Sequence, residues 1–485
     1  MNNLIPKPAS LNMSAGEFTL SQTTKISVSN TETEVQAIGN LLANYIEHHA
    51  KLRLAVVDDN QSLGNIHLKL NNGTNLGEEG YELTIQTDSI HLTAHHPAGL
   101  FYGIQTLRQI ISAHYSTAST RLSTSLKLPA VSIQDSPRFS WRGAMLDVVR
   151  HFFGVEDVKH YIDLISHYKI NRLHLHLTDD QGWRIEIKSW PKLAEVGAQT
   201  QVNGNGGGYY TQEQYKEIVE YASSRYIMII PEIDTPGHTN AALASYPELN
   251  ASEEAPNLYE GTEVGFSSLS INMEVTYRFL DDVIRELAVI TPAPYIHIGG
   301  DEARSTPEAD YKKFIKHFQQ IIFSHNKIPI GWAEIGEAEL DSRTIAQHWF
   351  GASYQEAKKR GAKIILSPAN KTYLDMKYDA SSQLGLDWAG LISVKDAYDW
   401  EPASYMDKLD ESDILGIEAP LWSETLVTIK DIEFMAFPRL PGLAELAWSP
   451  KGLSWDEYKQ RLAKHGKHLQ AMNINFFKSP DVDWE

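Results

Sequence analysis

Apolar and polar positions along the chain divide it into two segments with different patterns. In the first segment, alternating runs such as Ile66–Leu70 are typical of half-buried strands, and Thr33–His49 and Leu100–Ser112 have helical periodicity. Ile133–Pro137 ends this pattern and predicts a linker. Residues 1–137 are therefore expected to form a smaller N-terminal α/β domain.

The second segment, residues 138–485, repeats a short apolar run followed by a longer stretch, in several cases an amphipathic helix. The runs are Gly143–Val149, Arg172–Leu177, Ile227–Ile233, Tyr295–Ile298, Ile328–Trp332, Thr344–Trp349, Lys363–Leu366 and Leu415–Ala419. The helices predicted between them include Val155–His167, Gln212–Arg225, Thr276–Ile290 and Glu308–His325. Eight such repeats in about 350 residues are typical of a (β/α)8 TIM barrel, whose active site lies at the carboxyl ends of the strands.

Composition and charge limit the classes of partner. With 43 Lys and Arg against 62 Asp and Glu, the formal net charge is −19, which disfavours nucleic acid and anionic membranes and favours a neutral or cationic substrate. The chain has no cysteine, so disulfides and thiolate chemistry are excluded. Met1–Ser14 lacks the basic and apolar regions of a signal peptide, so a cytoplasmic location is expected, with a removed signal as the alternative.

Polar and aromatic residues recur at the end of each predicted strand. In strand order they are Arg142 and Asp147, Asp179 and Asp180, Glu232, Asp234 and His238, Asp301 and Glu302, Trp332 and Glu334, His348 and Trp349, Tyr373 and Asp375, and Trp422 and Glu424. Tryptophan stacks on the apolar faces of sugar rings, and carboxylates and arginine bind sugar hydroxyls. The set therefore predicts a sugar pocket at the catalytic end of the barrel.

Two of these carboxyl groups, Asp301 and Glu302, are adjacent in the chain. Glycoside hydrolysis needs a protonated acid for the leaving oxygen and a second group that stabilises the cationic sugar centre. Neighbouring residues at one strand end do not easily flank a sugar from opposite sides. The pair therefore fits a reaction in which the substrate supplies its own nucleophile.

Five strings in order carry a resemblance to a known family. They are Trp141–Asp147, His174–Asp180, Pro231–His238, His297–Glu302 and Gly416–Glu424, and Pro97–Leu107 extends the likeness into the first domain. In these strings the chain resembles the family-20 glycoside hydrolases, the β-N-acetylhexosaminidases. The resemblance covers nearly the whole sequence and implies a zincin-like first domain. No His-Glu-x-x-His string occurs, so that domain is interpreted as structural.

The resemblance implies a role for each candidate residue. Glu302 would be the general acid and base, Asp301 would hold the N–H of the substrate's 2-acetamido group, and Tyr373 would hold its oxygen while the group attacks C1. Trp332, Trp349 and Trp422 would form the walls of the pocket around the acetamide, with Trp388 at its rim. Arg142 would bind the 3- and 4-hydroxyls of the sugar, and Asp375 and Glu424 would bind the 4- and 6-hydroxyls. Asp179 and His238 would line the site, and Asp234 and His297 would lie behind Glu302 and adjust its protonation. No metal or cofactor is implied.

The implied reaction removes a terminal β-linked sugar with retention of configuration. That sugar is GlcNAc, GalNAc or both, and chitin fragments, glycoproteins and glycolipids are alternative sources. In one departure from the family pattern, Ala333 follows the strand-five Trp332, where some relatives carry an acidic residue, and Glu334 comes one position later. No role is therefore assigned to Glu334.

Two rival interpretations compete with this reading. His174 and His176 point to one side of a strand, as metal ligands do, and with His238, His297 and Asp301 they could build a metal-dependent barrel hydrolase. That interpretation leaves the tryptophans at the strand ends unexplained. A non-catalytic sugar-binding protein is the second rival, and a retained proton donor argues against it.

Overall fold

The computed structural model describes residues 3–29, 32–59, 65–73, 76–115, 125–204 and 206–485, which separate into two compact units. The first unit comprises Met1–Arg138, His167–Lys169 and Ala444–Glu485. The second comprises Phe139–Ser166 and Ile170–Leu443. The sequence predicts that the barrel domain continues to residue 485, whereas the residues from 444 onwards cluster with the first unit.

The first unit contains a seven-stranded mixed sheet, against which two helices pack. Its elements are β1 (Ser10–Ser21), β2 (Lys25–Val28), α1 (Thr33–Ala50), β3 (Ala55–Asp58), β4 (Ile66–Leu70), β5 (Tyr81–Ile85), β6 (Ile90–Ala94), α2 (Pro97–Tyr115) and β7 (Ser125–Asp135), and the strand order is β1-β7-β5-β6-β4-β2-β3. Tyr81, Leu83 and Ile85 are the buried alternate residues of β5. This is the pattern expected of a half-buried strand.

Strand β7 contradicts the linker predicted at Ile133–Pro137. Ile133 pairs with Leu11 of β1 on one side and with Leu83 of β5 on the other. Both partners are remote in sequence, so nothing local to this segment shows that it is a strand between two others.

The second unit is built around a closed parallel barrel. Its elements are β8 (Trp141–Asp147), α3 (Val155–Ser166), β9 (Arg172–His176), β10 (Thr178–Asp179), β11 (Gly182–Trp183), α4 (Lys192–Glu195), α5 (Gln212–Ser223), β12 (Met228–Glu232), α6 (Asn240–Ser245), α7 (Glu274–Ile290), β13 (Tyr295–His297), α8 (Glu308–Ser324), β14 (Ile328–Trp332), β15 (Ile345–His348), α9 (Tyr354–Lys359), β16 (Lys363–Leu366), α10 (Ala369–Thr372), α11 (Val394–Tyr398), α12 (Pro402–Tyr405), β17 (Ile414–Ala419) and α13 (Ile429–Ala436). The next helix, α14 (Arg439–Trp448), begins in this unit, which ends at Leu443. The barrel order is β12-β13-β14-β15-β16-β17-β8-β9. All eight predicted strands are present, and the predicted barrel is confirmed.

Barrel strands are recognisable in the sequence because they are buried on both faces, which makes them nearly continuous apolar runs. All seven residues of β8 are buried. Outside the barrel, α7 buries Phe279, Val283 and Leu287 along one stripe, the spacing expected of an amphipathic helix.

The last helix, α15 (Trp455–Ala471), belongs to the first unit and brings a histidine pair into its interior. His468 Nε2 lies 2.6 Å from His167 Nε2, and the two rings stack at 4.5 Å. Burial lowers the pKa of both imidazoles well below the ordinary value, and His465 on the same helix lowers them further. No helix in the part of the chain that the structure describes is long and apolar enough to cross a membrane.

Candidate active site

Four polar side chains from adjacent barrel strands lie at one level, at the carboxyl ends. Asp147 of β8 pairs with His176 of β9, and His176 pairs with Glu232 of β12. Glu232 pairs in turn with His297 of β13. All four are buried. Because barrels of this type carry their catalytic residues at this end, these side chains mark the floor of the candidate site.

The loop after β13 carries Asp301 and Glu302 on a tight turn. Gly299, Gly300 and Glu302 have φ values of 68°, 96° and 45°. A Cβ on Gly299 would lie 1.7 Å from Asp234 Oδ1, so only glycine fits there. Asp234 Oδ1 also accepts a hydrogen bond from Gly300 N at 3.2 Å. A left-handed glutamate is strained, and such strain clusters at functional sites.

His238 lies between the two carboxyl groups. Its Nε2 is 3.7 Å from both Asp301 Oδ2 and Glu302 Oε2, and its Nδ1 is 3.0 Å from Asp179 Oδ1. Burial alone would lower the pKa of His238, but the carboxylates of Asp179, Asp234 and Asp301 raise it well above its ordinary value. His238 is therefore a cation that faces both members of the pair.

Asp179 is held by three positively charged partners. Arg150 Nη2 is 2.7 Å from its Oδ2, His176 Nε2 is 2.9 Å from the same oxygen, and His238 binds the other oxygen. Burial alone would raise the pKa of Asp179, but Arg150 and then His238 hold it well below the ordinary value. Asp179 is thus a permanent carboxylate that fixes the position and charge of His238.

Asp301 and Glu302 differ in their surroundings. The Asp301 side chain is 11% exposed. Burial raises its pKa to about 6, with His238 opposing the shift and Glu302 reinforcing it. The Glu302 side chain is 19% exposed. Among the described residues, Asp301 Oδ1 has no hydrogen-bond partner. Above pH 6 it is a carboxylate oxygen that can accept an N–H and stabilise a nearby cation.

Aromatic side chains at the carboxyl ends of β14 to β17 form a compact pocket. The ring centroids of Trp332 and Trp422 lie 5.9 Å apart, those of Tyr373 and Trp422 6.3 Å, and those of Trp349 and Tyr373 6.4 Å. Trp388 lies 5.8 Å from both Trp349 and Tyr373 and is 51% exposed. The predicted walls and the predicted rim residue are therefore brought together.

Asp375 and Glu424 supply acceptor oxygens next to this pocket. Asp375 Oδ1 accepts a hydrogen bond from the backbone N of Trp422 at 3.5 Å. In the described part of the chain, Asp375 Oδ2 and Glu424 Oε2 have no partner. Burial raises the pKa of both carboxyl groups, and Glu424 adds to the shift at Asp375. Buried oxygens of this kind are suited to binding hydroxyls.

The prediction that Arg142 binds sugar hydroxyls is wrong. Arg142 is the second residue of β8, where it pairs with Ile417, and its Nη1 donates to the carbonyl of Phe139 at 2.9 Å. It therefore lies at the amino end of the strand, while Asp147 ends the strand on the catalytic side.

Arg150, which the sequence analysis missed, is the arginine of the candidate site. It lies three residues beyond β8, where its Nη1 is 3.4 Å from Asp147 Oδ2 and its Nη2 binds Asp179. Its guanidinium lies 4.8 Å from the centre of the Trp422 ring. The signal that could have found it is position, because Arg150 follows the predicted strand whereas Arg142 precedes it.

The two histidines of the metal hypothesis bind carboxylates. His174 Nδ1 is 2.8 Å from Glu418 Oε1 and its Nε2 is 2.9 Å from Glu232 Oε2. His176 Nδ1 is 2.5 Å from Glu232, and its Nε2 binds Asp179. Burial alone would lower the pKa of His174, but Glu232 and Glu418 raise it to about 9. Groups with metal-ligand spacing occur in this network, yet hydrogen bonds to carboxylates satisfy the ring nitrogens of both histidines.

The sequence analysis expects His297 behind Glu302, whereas in the structure it is fully buried inside the barrel. Its Nδ1 is 2.9 Å from Glu232 Oε1, and its ring lies 5.1 Å from that of Trp332. Trp332 Nε1 donates to the same Glu232 oxygen at 3.0 Å. These contacts support the floor of the aromatic pocket, and an influence of His297 on Glu302 stays a prediction.

Glu334 lies directly beside the pair, although the sequence assigned it no role. Both of its carboxyl oxygens accept from Trp349 Nε1, at 3.0 and 3.1 Å. Burial raises the pKa of Glu334 to about 8, and the charge of Asp301 adds to the shift. The carboxyl group therefore holds a wall of the pocket in place.

These features define a class of enzyme. The barrel places one buried and one more accessible carboxyl group beside an aromatic pocket. Further carboxyl groups next to the pocket can bind sugar hydroxyls. This is the active site of a glycoside hydrolase. The adjacency of the two groups fits hydrolysis assisted by the substrate.

Comparison with known proteins identifies the family. Residues 139–451 match the model of the glycosyl hydrolase family 20 catalytic domain, and residues 1–136 match that of family 20 domain 2. The chain is 38% identical to a β-N-acetylhexosaminidase of Cellulomonas fimi, over 99% of this chain and 97% of that protein. The chain belongs to glycosyl hydrolase family 20.

Solved structures agree with this assignment. A mutant β-hexosaminidase of Streptomyces plicatus in complex with its product GlcNAc matches with a TM-score of 0.96 and 47% identity, over 100% of this chain and 98% of that chain. An exo β-N-acetylglucosaminidase of Vibrio harveyi in complex with N-acetylglucosamine matches with a TM-score of 0.86 and 31% identity, over 98% and 78%. The chain is thus a glycoside hydrolase of the β-N-acetylhexosaminidase type, exo-acting and retaining, with substrate-assisted catalysis.

Proposed function

We propose that Glu302 and Asp301 divide this reaction between them. Glu302 gives its proton to the glycosidic oxygen as the C1–O bond breaks. The acetamido oxygen of the substrate forms the new bond to C1, and Asp301 accepts the N–H of the resulting oxazolinium and stabilises its positive charge. Water then attacks C1 and gives a proton to the Glu302 carboxylate. The oxazolinium ring opens, and the product keeps the configuration at C1.

The observation that carries this assignment is the difference in burial between the two groups. Asp301 is buried, and its Oδ1 has no partner among the described residues, which suits a group that receives an amide N–H. Glu302 lines an open cavity together with Arg304 and Trp349, which suits a group that must reach both a leaving oxygen and water.

The other side chains bind and orient the sugar. Burial raises the pKa of Tyr373 well above its ordinary value, so its hydroxyl stays a donor, as holding the acetamido oxygen requires. Trp332, Trp349 and Trp422 enclose the acetamide. Arg150 takes the role once expected of Arg142, and together with Asp375 and Glu424 it binds the ring hydroxyls.

The substrates are oligosaccharides or glycoconjugates that end in β-linked GlcNAc or GalNAc. The net charge of −19 supports neutral glycans and argues against nucleic acid and membrane partners. GlcNAc in the structures of two relatives supports this choice of sugar. Rates on nitrophenyl glycosides that differ at C2 and C4 distinguish GlcNAc from GalNAc. A cytoplasmic location stays a prediction, which fractionation of producing cells tests.

Substitution of the proton donor tests the division of roles. Glu302→Gln should lower kcat/KM about 10²- to 10⁴-fold on an unactivated disaccharide, because general acid catalysis contributes that much. A nitrophenyl glycoside should lose less, because its leaving group needs little protonation. Equal losses on both substrates would contradict the assignment of Glu302.

A further inference from the structure

A row of five buried side chains crosses the barrel interior, and most of it has no part in the reaction as described so far. Glu418 Oε1 is 2.8 Å from His174 Nδ1, and His174 Nε2 is 2.9 Å from Glu232 Oε2. The same Glu232 oxygen is 2.5 Å from His176 Nδ1, and His176 Nε2 is 2.9 Å from Asp179 Oδ2. Each of the five side chains is at most 1% exposed. Hydrogen bonds therefore connect the barrel interior to Asp179 without a break.

Glu232 is the junction of this row with the aromatic pocket. Its Oε1 accepts from Trp332 Nε1 at 3.0 Å and lies 2.9 Å from His297 Nδ1, while its Oε2 faces His174 and His176. One carboxylate thus meets four nitrogen atoms. Burial alone would raise the pKa of Glu232, but its three imidazole partners, His297 foremost, hold it well below the ordinary value. The junction is a permanent anion that fixes the pocket wall and the row together.

The charges of the row alternate in sign. Burial alone would lower the pKa of His176, but Glu232 and then Asp179 raise it well above the ordinary value. The pKa of His174 is about 9, because Glu232 and Glu418 outweigh the effect of burial. Burial alone would raise the pKa of Glu418, but His174 holds it below the ordinary value. At neutral pH each imidazolium therefore lies between two carboxylates, and each charge stabilises its neighbours.

The row reaches the catalytic pair through His238, which Asp179 binds. His238 Nε2 is 3.7 Å from both Asp301 Oδ2 and Glu302 Oε2. Burial raises the pKa of Asp301, and the negative charge of Glu302 adds to the shift. The positive charge of His238 opposes it, and so does that of His176 from inside the row. Asp301 must be ionised to stabilise an oxazolinium, so positive charge behind it favours the reaction.

Ionisable groups from several strands and loops surround His176 and Asp301. They include Asp147, Arg150, Asp179, Glu232, Asp234, His238, Glu302, Tyr311, Glu334 and Tyr373. Burial raises the pKa of Asp234 well above its ordinary value and that of Glu334 to about 8, so both carboxyl groups are uncharged on the acid side of neutrality. Burial also raises the pKa of both tyrosines, so neither hydroxyl carries a charge there.

We infer that Glu232 and His176 are positioning residues of the reaction, which act on the catalytic pair from inside the barrel. Glu232 holds the wall residue Trp332 and the row in one hydrogen-bonded unit. His176 supplies positive charge behind His238, which keeps Asp301 ionised while the cationic oxazolinium forms. The inference rests on the proposed role of Asp301.

Two substitutions of His176 remove its charge, and each keeps one of its two hydrogen bonds. An asparagine amide reaches as far as Nδ1, towards Glu232, and a glutamine amide reaches as far as Nε2, towards Asp179. Asp301, with a pKa of about 6, sets the acid limb of kcat/KM in the wild type. In both variants this limb should move to higher pH by about half a unit or more, because a positive charge is lost.

The pH dependence separates a charge effect from a merely structural one. On a GlcNAc disaccharide, a limb displaced by about half a unit corresponds to about a 3-fold loss of kcat/KM at pH 5 and almost none at pH 7.5. A loss by the same factor at every pH would overturn the role of His176. His465→Gln is the matched control, because burial lowers the pKa of His465 to about 4 and its removal takes away no charge. The control should leave the acid limb in place.

A double-mutant cycle tests the junction. Glu232→Gln removes the anion that keeps His176 protonated, so His176→Gln should displace the acid limb less in the Glu232→Gln background than in the wild type. Equal displacements in the two backgrounds would overturn the role of Glu232.

The charges of the row can also be measured in the wild type, which does not depend on the folding of any variant. With ¹⁵N-labelled histidine, NMR spectra at pH 7.5 should show at least three imidazolium rings, those of His174, His176 and His238. Fewer than three would overturn the inference.

Asp301→Asn distinguishes failure of the row from failure of the proposed function. If this variant loses the acid limb and neither His176 variant moves it, the inference is wrong and the role of Asp301 stands. If Asp301→Asn keeps the limb, the proposed role of Asp301 fails, and the inference fails with it.

Discussion

Glu334→Gln should raise the free energy of unfolding, but only above about pH 4.5. Burial raises the pKa of Glu334 from its ordinary value of 4.5 to about 8, so the native state keeps a proton that the unfolded chain releases above pH 4.5. Native stability therefore falls as pH rises from 4.5 to 8. At pH 7 the gap of 2.5 units between the pH and the ordinary pKa of 4.5 costs up to about 3.5 kcal/mol, at about 1.4 kcal/mol per unit.

Glutamine has nearly the same shape, keeps an acceptor for Trp349 Nε1 and cannot ionise. The variant should therefore match the wild type at pH 4.5 and exceed its free energy of unfolding by up to about 3.5 kcal/mol at pH 7. Urea unfolding followed by tryptophan fluorescence at pH 4.5, 7 and 8.5 measures the difference. Glu337→Gln, which changes an exposed glutamate on the same turn, is the control.

A second substitution separates the charge of Glu334 from its contact with the indole. Glu334→Ala removes the ionisation cost and also the acceptor for Trp349, so it should raise KM for the sugar, whereas Glu334→Gln should not raise it to the same extent. A stability difference between the glutamine variant and the wild type that is constant from pH 4.5 to 8.5 would refute the reasoning. It would mean that the native carboxyl group is ionised at neutral pH.

Three further predictions follow from other charged groups. Arg150→Lys keeps the positive charge but loses the planar guanidinium that holds Asp179. We expect kcat/KM to fall about 10- to 100-fold while the circular dichroism spectrum stays unchanged. A loss of less than twofold would exclude Arg150 from the site. Burial raises the pKa of Asp301 to about 6, so kcat/KM should decline below pH 6 as this carboxylate is protonated, and Asp301→Asn should abolish that limb. Burial lowers the pKa of His167 and His468 well below their ordinary value of 6.5. The free energy of unfolding of the first unit should therefore decrease as the pH falls through 6.5. In acid unfolding experiments, His468→Gln should weaken this pH dependence.

The barrel was predictable because its strands are buried on both faces. Ile328–Trp332 and Lys363–Leu366 have the bounds predicted from their apolar runs. The secondary structure at the end of the first domain was not predictable in the same way, because β7 is a strand only through its pairing with β1 and β5. Such long-range pairing leaves no local pattern.

The candidate site was predictable where strand ends fix positions, as at Asp301, Glu302 and Trp332. Arg142 shows the limit, since its residue type fitted the chemistry while its place near the start of β8 put it at the wrong end of the barrel. Glu334 lies on a short 3-10 turn, Ala333–Glu337, and the direction of a side chain on such a turn depends on the backbone rather than on the residue type. Its contact with Trp349 could therefore come only from the structure.

The hydrogen-bonded histidines and glutamates inside the barrel also restrict how this enzyme can be engineered for thermostability. Filling a protein interior with larger apolar residues is a common route to a higher Tm. Here a leucine in place of His174 would remove the positively charged partner of the buried Glu418 carboxylate, which costs about 3–5 kcal/mol. Since Glu232 also supports Trp332, the same change would disturb the sugar pocket. Substitutions intended to raise the Tm for industrial use should therefore be made in the outer helices.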